Sequence, residues 1–367
     1  TLTRRRGLIW GSLVLCYPLG VVLLINSSWQ LRWKLLLTVA LVPLFLIELL
    51  MLTPLRINFG GGGPQKISFE YFDPEKHEQA LLQSSEIPRT GDNRTPSDFT
   101  LVSEDDWPAF RGQFRDGIVR SSQFAMPWDK KIGPTLHWTR PVGGGLGSLA
   151  ITGDLVYTLE QRKDQEAVVC YQLQTGDLHW IHSYQAHFEE LLGGPGPRTT
   201  PTISDSRVYT IGATGIFLCL DALTGKEIWK RDILKDANAP KLQWAVSASP
   251  LILDNLVFSV PGGEQASVLA YDRYTGKIVK KLGKAPAGYS SPIVATLLET
   301  PQLLVFDAAG LSSYQPKSGH LLWHYPWETT QNINVAQPLV VDDEHLFISS
   351  GYGVGCALIR LTHKQTE

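Results

Sequence analysis

The residues in this 367-residue chain that could do chemistry are histidines, cysteines and glycine-rich turns. His179 and His182 in "HWIH" stand three apart; on a strand that spacing puts them on opposite faces, which argues against a shared metal. His320 and His324 flank a strand at even spacing, without a third ligand beside them. Cys16, Cys170, Cys219 and Cys356 are scattered and form no C-x-x-C pair, which argues against a zinc knuckle or a disulfide framework. "GGPGPR" (193–198) and "GYGVG" (351–355) lack the strand–helix context and the Lys-Ser/Thr of a phosphate loop. In "GGGLGS", Ser148 lacks the G-x-S-x-G pattern of a nucleophile elbow. Glu160, Gln161 and Arg162 read as a solvated turn at a strand end. No catalytic, cofactor-binding or metal-ligating residue is assigned from these patterns. The formal net charge of −2 excludes the basic field that nucleic-acid binding needs.

The elements that would position any site are repeats. "CYQLQTGDLHW" (170–180), "CLDALTGKEIW" (219–229), "AYDRYTGKIVK" (270–280) and "SYQPKSGHLLW" (313–323) are one hairpin written four times. Their turn glycines, Gly176, Gly225, Gly276 and Gly319, lie 49, 51 and 43 residues apart. Glycine supplies the positive φ of a tight turn. Trp180, Trp229 and Trp323 follow the turn and offer large flat surfaces for packing; Lys280 replaces the tryptophan in the third copy and predicts a smaller or wetter contact. Phe217 to Leu220 are apolar without alternation, as are Val168 to Cys170, which predicts strands packed between two sheets.

Upstream of each hairpin stands a second repeated unit: "SLAITGDLVYTLEQ", "TPTISDSRVYTIGA", "SPLILDNLVFSVPG", "SPIVATLLETPQLLVFDA" and "QPLVVDDEHLFISSG". Each reads as two short strands around a polar turn. Two strands plus a hairpin make a four-stranded unit of roughly 45 residues, the pattern of a propeller blade. The fold class expected is therefore an all-β propeller with about five visible blades. The fifth runs from "NVAQPLVV" through "GCALIRL", and "TLHWTRPV" (135–142) resembles a last strand without its own first three; donated to the fifth sheet it would close a small ring, and the alternative is further blades beyond residue 367.

Residues 1–56 read as a membrane anchor. "GLIWGSLVLCYPLGVVLLI" (7–25) is uncharged, and "LLLTVALVPLFLIELLML" (35–52) carries a single charge, Glu48; both have the length of a spanning helix. A signal peptide is the alternative for the first run. Residues 57–105 read as a linker and 106–367 as the propeller. Arg4, Arg5 and Arg6 favour a cytoplasmic N-terminus, which would return the rest of the chain to the cytoplasm after a two-helix hairpin.

Taken together, the repeats resemble the pyrroloquinoline-quinone-like β-propeller family, which includes quinoprotein alcohol dehydrogenases and the outer-membrane assembly protein BamB. The resemblance is carried best by "LDALTGKEIW", with D-x-x-T-G-K-x-x-W, by "DWPAFRGQFRDGIV" (106–119), and by "ISSGYGVGCALIRL" (348–361). Gln172 and Gln315 depart from the turn aspartate. The resemblance implies seven or eight blades, hence further blades beyond residue 367, and a propeller outside the cytoplasm at the bacterial inner membrane. In dehydrogenases of this family it implies a tryptophan floor, a calcium held by carboxylate and amide groups, an aspartate base and commonly adjacent bridged cysteines. Adjacent cysteines are absent here, and Trp244 in "LQWAVSASP" is the candidate floor. The expectation is a non-catalytic scaffold without cofactors, working with the lipid bilayer and other membrane-complex subunits and not with nucleic acid. The alternative is a PQQ-dependent quinoprotein dehydrogenase using PQQ and calcium.

Overall fold

The computed structural model describes residues 24–26, 29–40, 42–43, 55–59, 67–71, 73–85, 103, 106–120, 135–190 and 193–363. The chain divides into two compact units, Thr1–Leu82 and Gln83–Glu367. In the first, a ten-residue helix, Leu31–Ala40, precedes an antiparallel pair, Leu55–Phe59 with Ile67–Tyr71. A second helix, Pro74–Ser85, begins after Asp73, whose side chain accepts from the Lys76 N–H at 3.0 Å and so satisfies one free amide of the first turn. No described helix is long and apolar enough to cross a membrane. The expected span 7–25 apart from residues 24–25, and the span 35–52 apart from residues 35–40 and 42–43, lie outside the described residues.

Among the described residues the second unit is β apart from the end of the Pro74–Ser85 helix, the short helix Ile233–Ala237 and a 3₁₀ turn at Thr330–Asn332. Its main sheets are antiparallel meanders in chain order. Blade 1 comprises Ala150–Thr152, Leu155–Arg162, Gln165–Gln172 and Leu178–Gln185. Blade 2 comprises Thr202–Ser204, Arg207–Ile211, Ile216–Asp221 and Glu227–Asp232. Blade 3 comprises Leu251–Leu253, Leu256–Ser259, Val268–Asp272 and Ile278–Leu282. Blade 4 comprises Ile293–Leu297, Thr300–Asp307, Gly310–Tyr314 and Leu321–Pro326, and blade 5 has three strands, Leu339–Val340, His345–Ser350 and Gly355–Arg360.

The cores lie between successive sheets. One cluster joins blades 1 and 2, the next joins 2 and 3, then 3 and 4, then 4 and 5. The third strand of blade 2 shows why its sequence does not alternate. Leu218 and Leu220 enter the core shared with blade 1, while Phe217 and Cys219 enter the core shared with blade 3. Blades 2, 3 and 4 are thus apolar on both faces, as a stack requires. The first strands of blades 1, 2 and 3 lie beside one another, which makes them the inner edge of the arc.

Each hairpin carries the same register shift, at Cys170/Tyr171, Cys219/Leu220, Ala270/Tyr271 and Ser313/Tyr314. In each turn the glycine N–H donates back four residues, from Gly176 to Gln172, Gly225 to Asp221, Gly276 to Asp272 and Gly319 to Gln315. The tryptophan of one blade then lies on the turn glycine of the next. A Cβ on Gly225 would sit 2.5 Å from the Trp180 ring, and one on Gly276 2.8 Å from Trp229. The indole N–H groups of Trp180 and Trp229 donate to the carbonyls of Ala222 and Arg273, at 2.8 and 2.9 Å. Trp138 stands in the same relation to blade 1, over Gly176 and bonded to the Leu173 carbonyl. Gly319 meets Leu282 instead, because Lys280 has replaced the tryptophan. Trp323 turns to its own blade and donates to Gln302 Oε1 at 2.8 Å.

Candidate functional site at the inner edge

The crossings that lead from the last strand of one blade to the first strand of the next converge on the inner edge. Two residues ahead of each first strand stand Ser148, Thr200, Ser249, Ser291 and Gln337. They form a ladder across blades. The Ser148 N–H donates to Thr200 Oγ1 at 3.3 Å, the Thr200 N–H to Ser249 Oγ at 2.9 Å, and the Ser249 N–H to Ser291 Oγ at 2.9 Å. Gln337 Nε2 closes the series by donating to the Ser291 carbonyl at 3.3 Å. A backbone group ahead of a strand has no ladder partner of its own, so a side chain from the neighbour satisfies it. The signal was present in the sequence as the leading residue of each two-strand unit.

Residues 106–117 form a strap on the free edge of these first strands. Trp107 and Ile151 exchange backbone bonds at 2.9 and 2.8 Å, and the Ile203 N–H donates to the Pro108 carbonyl at 2.8 Å. Asp106 anchors the strap by accepting from the N–H groups of Ser103 and Gly153, both at 2.8 Å. Beyond a turn with positive φ at Arg111, Gly112, Arg115 and Gly117, the Arg115 guanidinium reaches blade 3. It donates to the carbonyls of Pro250 at 2.8 Å and Ser249 at 3.3 Å.

Two crossings also bring Trp244 and Tyr289 together, with ring centroids 5.7 Å apart and planes at 60°. Both rings are half-buried. Ala245 beside Trp244 has φ +65°, a conformation L-residues rarely adopt. Ser247 Oγ donates to the Tyr289 carbonyl at 3.3 Å. The adjacent crossing thereby fixes the aromatic pair.

The other candidates resolve into packing. His179 is buried with Nε2 2.9 Å from the Leu223 carbonyl, and His182 lies 3.6 Å from Glu227. His324 Nδ1 meets Ser312 Oγ at 3.0 Å. Cys170 and Cys219 are buried opposite Trp180 and Trp229, where a small side chain makes room for the indole. Burial pushes the Cys219 thiol up to about 12, which keeps it unreactive. The glycine runs 143–147 and 193–196 lie backbone against backbone, for a Cβ on Gly196 would collide with the Gly144 carbonyl. The Arg198 guanidinium donates to the carbonyls of Gly193, Gly194 and Gly196, so that run holds its own arginine. Tyr352 in "GYGVG" is the exposed tip of the blade 5 hairpin.

The expected solvated turn at Glu160–Arg162 is corrected. Glu160 is 2% exposed and accepts from Arg162 Nη2 at 2.6 Å, from the Tyr171 hydroxyl, and from the Gly143 N–H. Glu166, fully buried, accepts from the Tyr184 hydroxyl at 2.6 Å and the Ala213 N–H at 2.9 Å, and burial raises its pKa. A Cβ on Gly212 would collide with that carboxylate, so the glycine keeps room for a latch between blades 1 and 2. Among the described residues no group of three His, Cys, Asp or Glu can hold a metal ion.

Comparison with known proteins corrects a further expectation. Over 141 residues the chain is 30% identical to the quinoprotein alcohol dehydrogenase PedH of Pseudomonas putida, a match covering 36% of the chain and 23% of that protein. It is 27% identical over 147 residues to a quinoprotein ethanol dehydrogenase of Pseudomonas putida, with the same shares of each chain. The chain therefore spans about a quarter of the length of these curated relatives. Its fold is similar to the quinohemoprotein alcohol dehydrogenase of Comamonas testosteroni, with TM-score 0.51 at 16% identity, over 75% of this chain and 50% of that one. These relatives are enzymes named for their quinone, which overturns the expectation of a non-catalytic chain with no cofactor. That expectation rested on missing adjacent cysteines and a missing carboxylate–amide cluster. Residues 164–366 match the family model described as outer membrane protein assembly factor BamB, and with more than half of its length inside that match the chain belongs to this PQQ-propeller family.

Proposed function

We propose that the chain is the propeller part of a quinone-dependent dehydrogenase acting on alcohols. The observation that carries this reading is the 141-residue similarity to a curated quinoprotein alcohol dehydrogenase. The geometry supports it at the inner edge. Pyrroloquinoline quinone is planar, aromatic and anionic, and the tilted Trp244–Tyr289 pair offers half-buried aromatic faces to such a ring. When bound, the quinone supplies a two-electron acceptor for the alcohol carbon. The chain's part is to orient that plane, with Ser247 holding the Tyr289 backbone and the strained Ala245 turning Trp244 towards it. The described residues supply no carboxylate set for calcium, so no metal step is assigned to them.

Dye-linked oxidation of primary alcohols, assayed with added quinone with and without calcium, tests the reading. Quinone-dependent dye reduction is expected. Saturating quinone with no turnover on any alcohol overturns it. The family match supports a second reading of the outer loops, docking on other membrane-complex subunits beside the bilayer with the propeller outside the cytoplasm. Stoichiometric co-purification in mild detergent is its expected result, and isolation as a lone chain its refutation.

A further inference from the structure

Arg115 and Arg273 are the two buried arginines among the described residues. Arg140, Arg162, Arg231 and Arg273 each pair with a carboxylate, from Asp177, Glu160, Asp236 and Asp205. Arg115 is only 6% exposed and takes part in no described ion pair. Its two Nη groups reach main-chain carbonyls, and its Nε is buried without a hydrogen-bond partner. Beside it runs the ladder. The hydroxyls of Thr200, Ser249 and Ser291 are all buried, and each accepts one main-chain N–H. None of the three donates a described hydrogen bond, so the place is rich in donors and poor in acceptors.

We propose that Arg115 and the hydroxyls of Thr200, Ser249 and Ser291 form an oxyanion site under the strap, which takes a carboxylate or phosphate group. An isolated buried charge is costly unless it finds a counter-charge, and carbonyl dipoles supply only part of one. Burial lowers the Arg115 pKa to about 9, with no charged neighbour acting against it. A carboxylate or phosphate oxygen can accept from the guanidinium and from hydroxyls at once, as charge-assisted bonds that are shorter and stronger than neutral ones. The strap explains why the site exists. Its backbone is tied to blades 1 and 2, and its arginine is delivered to blade 3. The site does not depend on the redox reading, since the oxyanion group can belong to a free small anion or to the edge of a larger ligand.

The test is thermal unfolding of the whole chain at fixed ionic strength in chloride, inorganic phosphate, succinate or pyrroloquinoline quinone. A rise of about 3 °C at roughly ten times Kd is expected with phosphate, succinate or the quinone and not with chloride. A response to phosphate or succinate assigns a free anion; a response to the quinone alone assigns a ligand-borne carboxylate. Arg115→Gln is expected to abolish the rise, and Ser249→Ala with Ser291→Ala to weaken binding about tenfold. Should Arg115→Gln not fold, the serine pair decides. No oxyanion-specific rise in the parent chain, or an equal rise in the variants, overturns the site. Dye reduction is read separately, so the oxyanion site and the dehydrogenase reading fail independently.

Discussion

Gly225 has φ +68° and its missing Cβ is the space the Trp180 ring occupies. Gly225→Ala therefore combines left-handed strain with overpacking, and is expected to cost about 2 kcal/mol or more. Urea unfolding should show the loss in the midpoint with an unchanged slope; a loss under about 0.5 kcal/mol would refute the close approach. Asp307 makes a different kind of prediction. It is buried, its Oδ1 accepts from the Ala309 N–H at 3.0 Å, and its Oδ2 has no partner. Burial pushes its pKa up from 3.8 to about 6. The folded state then holds the proton more tightly than the unfolded chain, so this carboxyl favours the fold most at pH below 3.8. That contribution is lost as pH rises through about 6, by at most about 3 kcal/mol. Asp307→Asn is expected to flatten stability between pH 4 and pH 6; an unchanged slope would mean that Asp307 does not titrate there.

At the scale of elements, Lys280→Trp asks whether the tryptophan repeat acts alone. Leu282 already fills the contact over Gly319 and Lys280 Nζ donates to the Lys317 carbonyl at 2.5 Å. Restoring the tryptophan should change stability by less than about 0.5 kcal/mol, and a large gain would show that the leucine is a poor substitute. The strap gives a sharper reading through hydrogen exchange. The amides of Ile151 and Ile203 donate to Trp107 and Pro108. Trp107→Ala should loosen that pairing and speed their exchange at least tenfold over the neighbouring amides of the same strands. Equal protection would place the strap elsewhere.

The blades were legible because glycine and tryptophan recur at fixed offsets, and each must occupy a place that few other residues fit. The ladder was written at equal spacing, but Ser, Thr and Gln ahead of a strand are common. Only the stack shows that one blade's amide meets the next blade's hydroxyl. Arg115 was out of reach of any local pattern, for its partners lie 134 and 135 residues away. Glu160 failed for the same reason: Tyr171 and Gly143 close over it from other segments, and a strand-end carboxylate that looks solvated is buried.

For the whole molecule, the stacked sheets bring the first strands and the crossings to one shared edge. The first strands carry the strap on their free edge, and the crossings carry the hydroxyl ladder and the Trp244–Tyr289 pair. The central claim is that these aromatics receive a planar quinone. Titration of the whole chain with pyrroloquinoline quinone, followed by indole fluorescence, tests it most directly. Saturable quenching in the parent chain, with an affinity at least tenfold weaker in Trp244→Leu, is the predicted result. Quenching that does not saturate, or that is the same in the variant, would contradict it.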